Sequence, residues 1–298
     1  MVGFLQVMAA PFAACVLLVL VHASLGRHVL ARGVIFVDLA MAQIAALGGA
    51  VAFLLGHEPH DPWSYVWSFG FTLLGAALFS FLWDRNKSVM QEAFIGIAFS
   101  FAGALSMLLL ANSPHGAEEF QSSLTGGGLL WLTWHDVGVM AVLYGVVAVF
   151  LWRWNHVLME CSTHHTGASH RGVNVRLWDF LFYASFGFVV TSSVAIAGVL
   201  LVFCYLIVPS VGAMLFADKI GRRLAIGWTM GTLVSALGVY FSVLLDLPTG
   251  ATIVGTFGAV LILMFLVHLI FFHGRHPHSL AGARSAEKPQ EKILQVRH

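Results

Sequence analysis

Two polar side chains stand where polar side chains are costly. The stretch from Gly33 to Gly56, GVIFVDLAMAQIAALGGAVAFLLG, is otherwise apolar, yet it contains Asp38 and Gln43. A carboxylate in a membrane-spanning helix costs roughly 2.5–3.5 kcal/mol on insertion scales, so it faces protein or water rather than lipid. The chemistry open to this stretch is donation to a cation. A carboxylate attracts the ion by charge, and an amide oxygen coordinates it more weakly. Met41, three residues beyond Asp38, shares its side of an ideal helix and offers a soft sulfur. Gln43, five residues on, lies about 140° around the helix. A second reading makes Asp38 a helix-end acid, paired with Arg32 or favoured by the N-terminal dipole.

Further acids and imidazoles gather between apolar runs. One segment is HEPHDP, with His57, Glu58, His60 and Asp61. A longer one, NSPHGAEEFQSSLTGGG, carries His115, Glu118 and Glu119 and leads to His135 and Asp136. His115 and Glu118 stand at helical spacing, and they join Asp38, Met41 and Gln43 as candidate pathway ligands. The plainer account is that an outer face without Lys or Arg has only acids and histidines for polarity. MECSTHHTGASHR supplies Cys161, His164, His165 and His170, and the tail supplies His273, His276 and His278. Such tracts can bind metal, but no fixed zinc spacing is present, so a solvated loop and tail are expected. Cys15, Cys161 and Cys204 show no paired spacing and imply no disulfide framework.

The elements that must hold these groups are membrane helices. Of the 298 residues, 59% are hydrophobic and 10% charged, against about 25% charged in soluble domains. The chain is therefore expected to be all-α, a polytopic transmembrane bundle. Helices are expected over 4–22, 34–55, 64–83, 93–111, 136–152, 177–196, 198–216, 224–245 and 251–272. Only Gly198 and the Thr191, Ser192, Ser193 patch punctuate the sixth and seventh, so the count is eight or nine spans. Phe4 to Val21 is expected to be a retained first helix rather than a cleaved leader, since no Lys or Arg precedes it.

All fifteen Lys and Arg residues fall in the odd-numbered breaks between these helices and none in the even ones. The positive-inside rule then places the N-terminus outside and the C-terminus in the cytoplasm of a cell-membrane protein. Residues 1–273 form the expected transmembrane domain. Residues 274–298 are polar and expected to be a disordered cytoplasmic tail. The net charge of +1 is sorted by side and points to no nucleic acid.

The segment from Gly198 to Arg223, GVLLVFCYLIVPSVGAMLFADKIGRR, runs from an apolar helix through Pro209 into a basic cluster. A proline cannot continue regular helix bonding, so a turn or kink is expected there. With QEAFIGIAFSFAGAL (91–105), LTGGGLLWLT (124–133), LDLPTGATIVGTFGAVLIL (245–263) and Arg32–Gly56, it resembles the zinc/manganese/iron permease family of ATP-binding-cassette importers. The match covers most of residues 25–265, in the family's order. The resemblance implies a permease that spans the membrane as a homodimer and carries a divalent metal cation, zinc or manganese, as substrate. It also implies an external metal-binding protein and a separate cytoplasmic ATPase. The sequence has no Gly-rich loop ending in Gly-Lys-Ser/Thr, so ATP hydrolysis is expected in that partner, not in this chain.

In the resemblance, Pro209, Ser210, Gly212, Ala213 and Lys219 belong to a coupling helix that docks into the ATPase. Gly212 and Ala213 are expected to be small so that the segment fits a cleft. The acidic residues Glu58, Asp61 and Glu119 are expected to seat the binding protein. The family's Gly-Asp followed by His is altered here: Gln43 stands at the histidine, Leu39 at the aspartate and Asp38 at the glycine. Asp38 is still expected to face the central path. A self-sufficient secondary carrier is the alternative, although such carriers usually show internal repeats and none is evident.

Overall fold

In lipid only a helix or a closed barrel satisfies every backbone N–H and C=O, and long apolar runs without strand alternation select the helix. The computed structural model describes residues 2–58, 61–82, 88–111, 118, 128–163, 174–217 and 219–271. Its helices are α1 (Val2–Arg32), α2 (Val37–Leu54), α3 (Pro62–Leu82), α4 (Ser88–Leu110), α5 (Trp134–Arg153), α6 (Asn155–Thr163), α7 (Val175–Met214), α8 (Ile220–Leu244) and α9 (Thr249–Phe271). All but α6 are long and apolar enough to cross a membrane. His115, Glu119, His164, His165, His170 and the tail from residue 272 lie outside the described residues.

The first helix runs ten residues past the expected end at His22. The polar residues taken there for a break are instead buried inside the bundle. His22 is fully enclosed and bonds the Leu18 carbonyl through Nδ1 at 2.9 Å, and His28 is 1% exposed. A polar residue ends a spanning helix only if it needs water, and these have protein around them.

The 40 residues of α7 would reach about 60 Å if straight, twice the roughly 30 Å hydrocarbon core. They do not stay straight. Gly198 has φ 76° and ψ 160°, and the helix breaks there into α7a and α7b. Asp179, near the start, pairs with Arg32 at the end of α1. Leu206 and Ser210, past the break, crowd Gly26 only six residues away on α1. Both ends of α7 therefore meet the same end of α1, and the chain folds back at Gly198 to supply two passes. This is the boundary expected between 177–196 and 198–216, while at Pro209, where a turn or kink was also expected, α7b continues as helix.

That glycine is required. Its φ/ψ pair lies in a region open essentially to glycine alone, with a cost of about 1–3 kcal/mol for other residues. Gly198→Ala is expected to lower the unfolding free energy of the detergent-solubilised protein by about that amount. Gly255→Ala, where a Cβ meets open space, is the control and should be neutral. Equal melting of the two variants would show that Gly198 does not set the turn.

Among the described residues, most of the Lys and Arg side chains gather at one end. Arg32 and Arg153 close α1 and α5, Arg176 opens α7a, and Lys219, Arg222 and Arg223 open α8. Cross-contacts align these ends: Arg27 Nη2 donates to Asn155 Oδ1 at 2.9 Å, and Ser80 Oγ donates to the Arg176 carbonyl at 3.0 Å. We call this the basic end. Around it the helices pack in two groups. Helix α2 is enclosed by α3, α4 and α7, while α1 and α9 pack on α7 and α8.

Candidate functional site

Helix α2 owes its central place to small residues, which let helix backbones close up in lipid. Ala40, Ala42, Ala45, Gly48, Ala50 and Ala52 supply them, all buried. Gly48 lies so close to α3 that a Cβ would stand 2.6 Å from Ser68 Cα and 2.7 Å from the Trp67 carbonyl oxygen. Its entry is fixed by Gly33, at φ 72°, and by Glu92 of α4, whose Oε1 accepts from the Ile35 N–H at 3.0 Å.

Asp38 sits in the first turn of this helix and is completely enclosed. Among the described residues neither of its carboxylate oxygens has a hydrogen-bond partner. It does not pair with Arg32, because the Arg32 Nη1 is 2.8 Å from Asp179 Oδ1, with both side chains buried. Gln43 is 4% exposed, and its unpartnered Oε1 lies 3.3 Å from where a Cβ on Gly103 of α4 would stand. Met41 points elsewhere, filling the space left by Gly75 and Gly187 on α3 and α7a. The structure thus places the three on one helix, but Met41 and Gln43 face different neighbours. Among the described residues, no group of three His, Cys, Asp or Glu could hold a metal ion.

The other expected groups are spread over both ends. Glu58 and Glu118 are exposed, and Asp61 Oδ2 lies 3.3 Å from His57 Nδ1. Asp136 is engaged in a capping box with Thr133 at the start of α5. At the basic end Lys219 is exposed, while Gly212 and Ala213 are buried. A Cβ on Gly212 would meet Met230 Sδ at 3.0 Å and Met264 Cε at 3.4 Å. The missing Cβ of Gly212 serves packing of α7b on α8 and α9, and Ala213 is fully enclosed. The exposed surface of this segment is Met214, Phe216 and Ile220. Cys161 is buried in α6, where burial and then Asp179 push its thiol up to about 11, away from the thiolate a metal needs.

Three features were missed from the sequence. One is the buried pair Arg32–Asp179, with the guanidinium 4.1 Å above the Phe182 ring and Nε donating to Ser162 Oγ at 3.0 Å. The second is a hydroxyl ladder: Thr72 with Thr191 at 2.8 Å and Tyr144 with Ser193 at 2.8 Å. The third is a cavity of about 860 Å³ at the end opposite the basic one, between α3, α5 and α7a, lined by Tyr65, Phe69, His135, Asp136, Thr191 and Ser192 among others. Signals existed for all three. Asp179 is a carboxylate inside an apolar run just as Asp38 is, and Thr191 to Ser193 registered only as punctuation.

Comparison with known proteins fits this architecture. The chain is 29% identical over 255 residues to a "Probable iron transport system membrane protein" of Haemophilus influenzae, covering 78% of this chain and 88% of that one. It is 23% identical over 252 residues to the "Manganese import system permease protein ScaB" of Streptococcus parasanguinis, covering 83% and 86%. The "Chelated iron transport system membrane protein YfeC" of Yersinia pestis is 25% identical over 267 residues, covering 89% and 85%. In fold the chain is similar to "PsaBC from Streptococcus pneumoniae in complex with Fab", with TM-score 0.72 at 20% identity over 89% of this chain and 94% of that one. The sequence profile of the ABC 3 transport family matches residues 4–271, nearly the whole bundle, and the chain belongs to that family.

Proposed function

We propose that this chain is the membrane-spanning permease subunit of an importer for a divalent metal cation, working as a pair of copies in the cell membrane. The family match over residues 4–271 carries the reading, and the names of the relatives, manganese and iron systems, favour those two metals as the substrate. The donor types agree with that choice. A carboxylate and an amide oxygen suit hard cations such as manganese better than zinc, which favours imidazole. A separate ATPase supplies the energy, docking on the basic end over Pro209–Lys219, with Met214, Phe216 and Ile220 as the apolar contact and Lys219 at the rim. The basic end then faces the cytoplasm. At the opposite face Glu58 and Asp61 meet the external binding protein, joined by Glu119 from outside the described residues, and such rim charges set mainly association rate and salt dependence.

Asp38 is the group proposed to attract the cargo, as an enclosed carboxylate with both oxygens unpartnered. Because one chain encloses it, the cation reaches it only when packing around α2 loosens during the transport cycle. Asp38→Asn is isosteric and removes the charge. In a reconstituted complex with ATPase and binding protein, metal uptake is expected to fall at least tenfold. Basal ATP hydrolysis and protein level should stay near those of the parent. Undiminished uptake would make Asp38 structural. Failure of manganese and of ferrous iron alike to stimulate hydrolysis in the parent complex would sink the functional reading as a whole.

A further inference from the structure

At the basic end a cavity of about 250 Å³ opens between α1, α6, α7b and α8. It is smaller than the about 300–1,000 Å³ of drug-sized sites, room for one headgroup or part of one acyl chain. Leu30, Met159, Met214 and Leu224 make its walls apolar, and Arg27 and Arg223 are the charged residues among those that line it. Arg223 is half-buried, and its Nε donates to the Ala217 carbonyl at 2.7 Å. Arg27 Nη2 is held by Asn155, but its Nε is buried with no hydrogen-bond partner among the described residues. No carboxylate among the described residues forms an ion pair with Arg27. A cationic, apolar-walled notch at the end of membrane helices matches one chemistry: an anionic headgroup with its chain in the bilayer. Basic pockets between spanning helices bind anionic lipid headgroups in this way.

We propose that this notch is a binding site for one anionic phospholipid, its phosphate on Arg27 and Arg223 and its chain against Leu30 and Met159. The inference uses only membrane depth, charge and shape, and stands whether or not the cargo is a metal. It places a lipid beside the stretch that ends α7b.

The test uses the full chain in nanodiscs, measuring retention of phosphatidylglycerol against phosphatidylcholine by native mass spectrometry. The parent should prefer phosphatidylglycerol. Arg27→Gln should weaken that preference about fivefold, and Arg27→Gln with Arg223→Gln roughly thirtyfold, each arginine near a charged lipid surface contributing similarly. Arg27→Lys keeps the charge and should keep most of the preference. Asn155→Ala removes the same side-chain bond without touching the guanidinium, and should bind lipid as the parent does. Ala31→Phe fills the cavity and should displace the lipid with both arginines intact. Equal retention of the two lipids by the parent, or an unchanged preference in the double variant, overturns the proposal. Displacement by inorganic phosphate would reduce the site to one for small anions. If Arg27→Gln keeps its lipid but loses the ATPase, the notch is a protein-docking surface and the proposal fails.

Discussion

Replacing Asp179 with asparagine is expected to destabilise the protein by about 3–5 kcal/mol, the usual cost of leaving one member of a buried ion pair without the other. Arg32 and Asp179 are 0% and 1% exposed at the side chain and 2.8 Å apart. Removing the carboxylate takes the counter-charge from a buried guanidinium packed over Phe182. The loss should appear as a lower midpoint in thermal or denaturant unfolding in detergent, and as lower accumulation in the membrane. Replacing both at once, Arg32→Met with Asp179→Leu, should recover most of it, because no charge is then left buried. If the single variant unfolds within about 0.5 kcal/mol of the parent, as surface substitutions do, the pair is not the clamp joining α1 to α7a.

Gly48→Ala is the second large effect. The added methyl would lie 2.6 Å from Ser68 Cα, 2.7 Å from the Trp67 carbonyl oxygen and 2.9 Å from the Ser68 nitrogen. These are backbone atoms that no side-chain rotation can clear, so α2 and α3 must separate along their contact. Overpacking of this kind costs about 1–3 kcal/mol, and here it also shifts the helix that carries Asp38. Gly49→Ala is the sharp control. Its Cβ meets only the Ser68 hydroxyl, at 3.3 Å, and that can rotate away. The unfolding midpoint and metal uptake should both fall in Gly48→Ala and hold in Gly49→Ala. Matching behaviour would mean that α2 and α3 are not in the close contact described.

The bundle was legible from hydropathy and charge because both are imposed by the bilayer on each segment separately. What escaped is set by tertiary partners. His22 and His28 signal a helix end by type, and α1 continues through them since the other helices enclose them. Pro209 carries the stronger breaker signal in its region, yet α7b runs through it, and the turn falls at Gly198, the boundary expected between the sixth and seventh helices. Gly212 and Ala213 were correctly singled out as small, but smallness does not say which side is crowded. In the site, the enclosed Asp38 could be expected from its position in an apolar run. Its failure to pair with Arg32 could not, because that depends on Asp179, far along the chain.

The fold-back at Gly198 bears on how the protein is made. From Phe180 to Ala217 the chain has no Asp, Glu, Lys or Arg, and the turn itself contains no hydrophilic loop to hold in water while one half waits for the other. The two halves must therefore leave the insertion machinery together, as one hairpin released sideways into lipid. A reporter spliced at residue 198 to map sidedness would prise that hairpin apart. It would report on the damage it caused, whereas tags after Gly56 or Leu245, at true surface turns, would not.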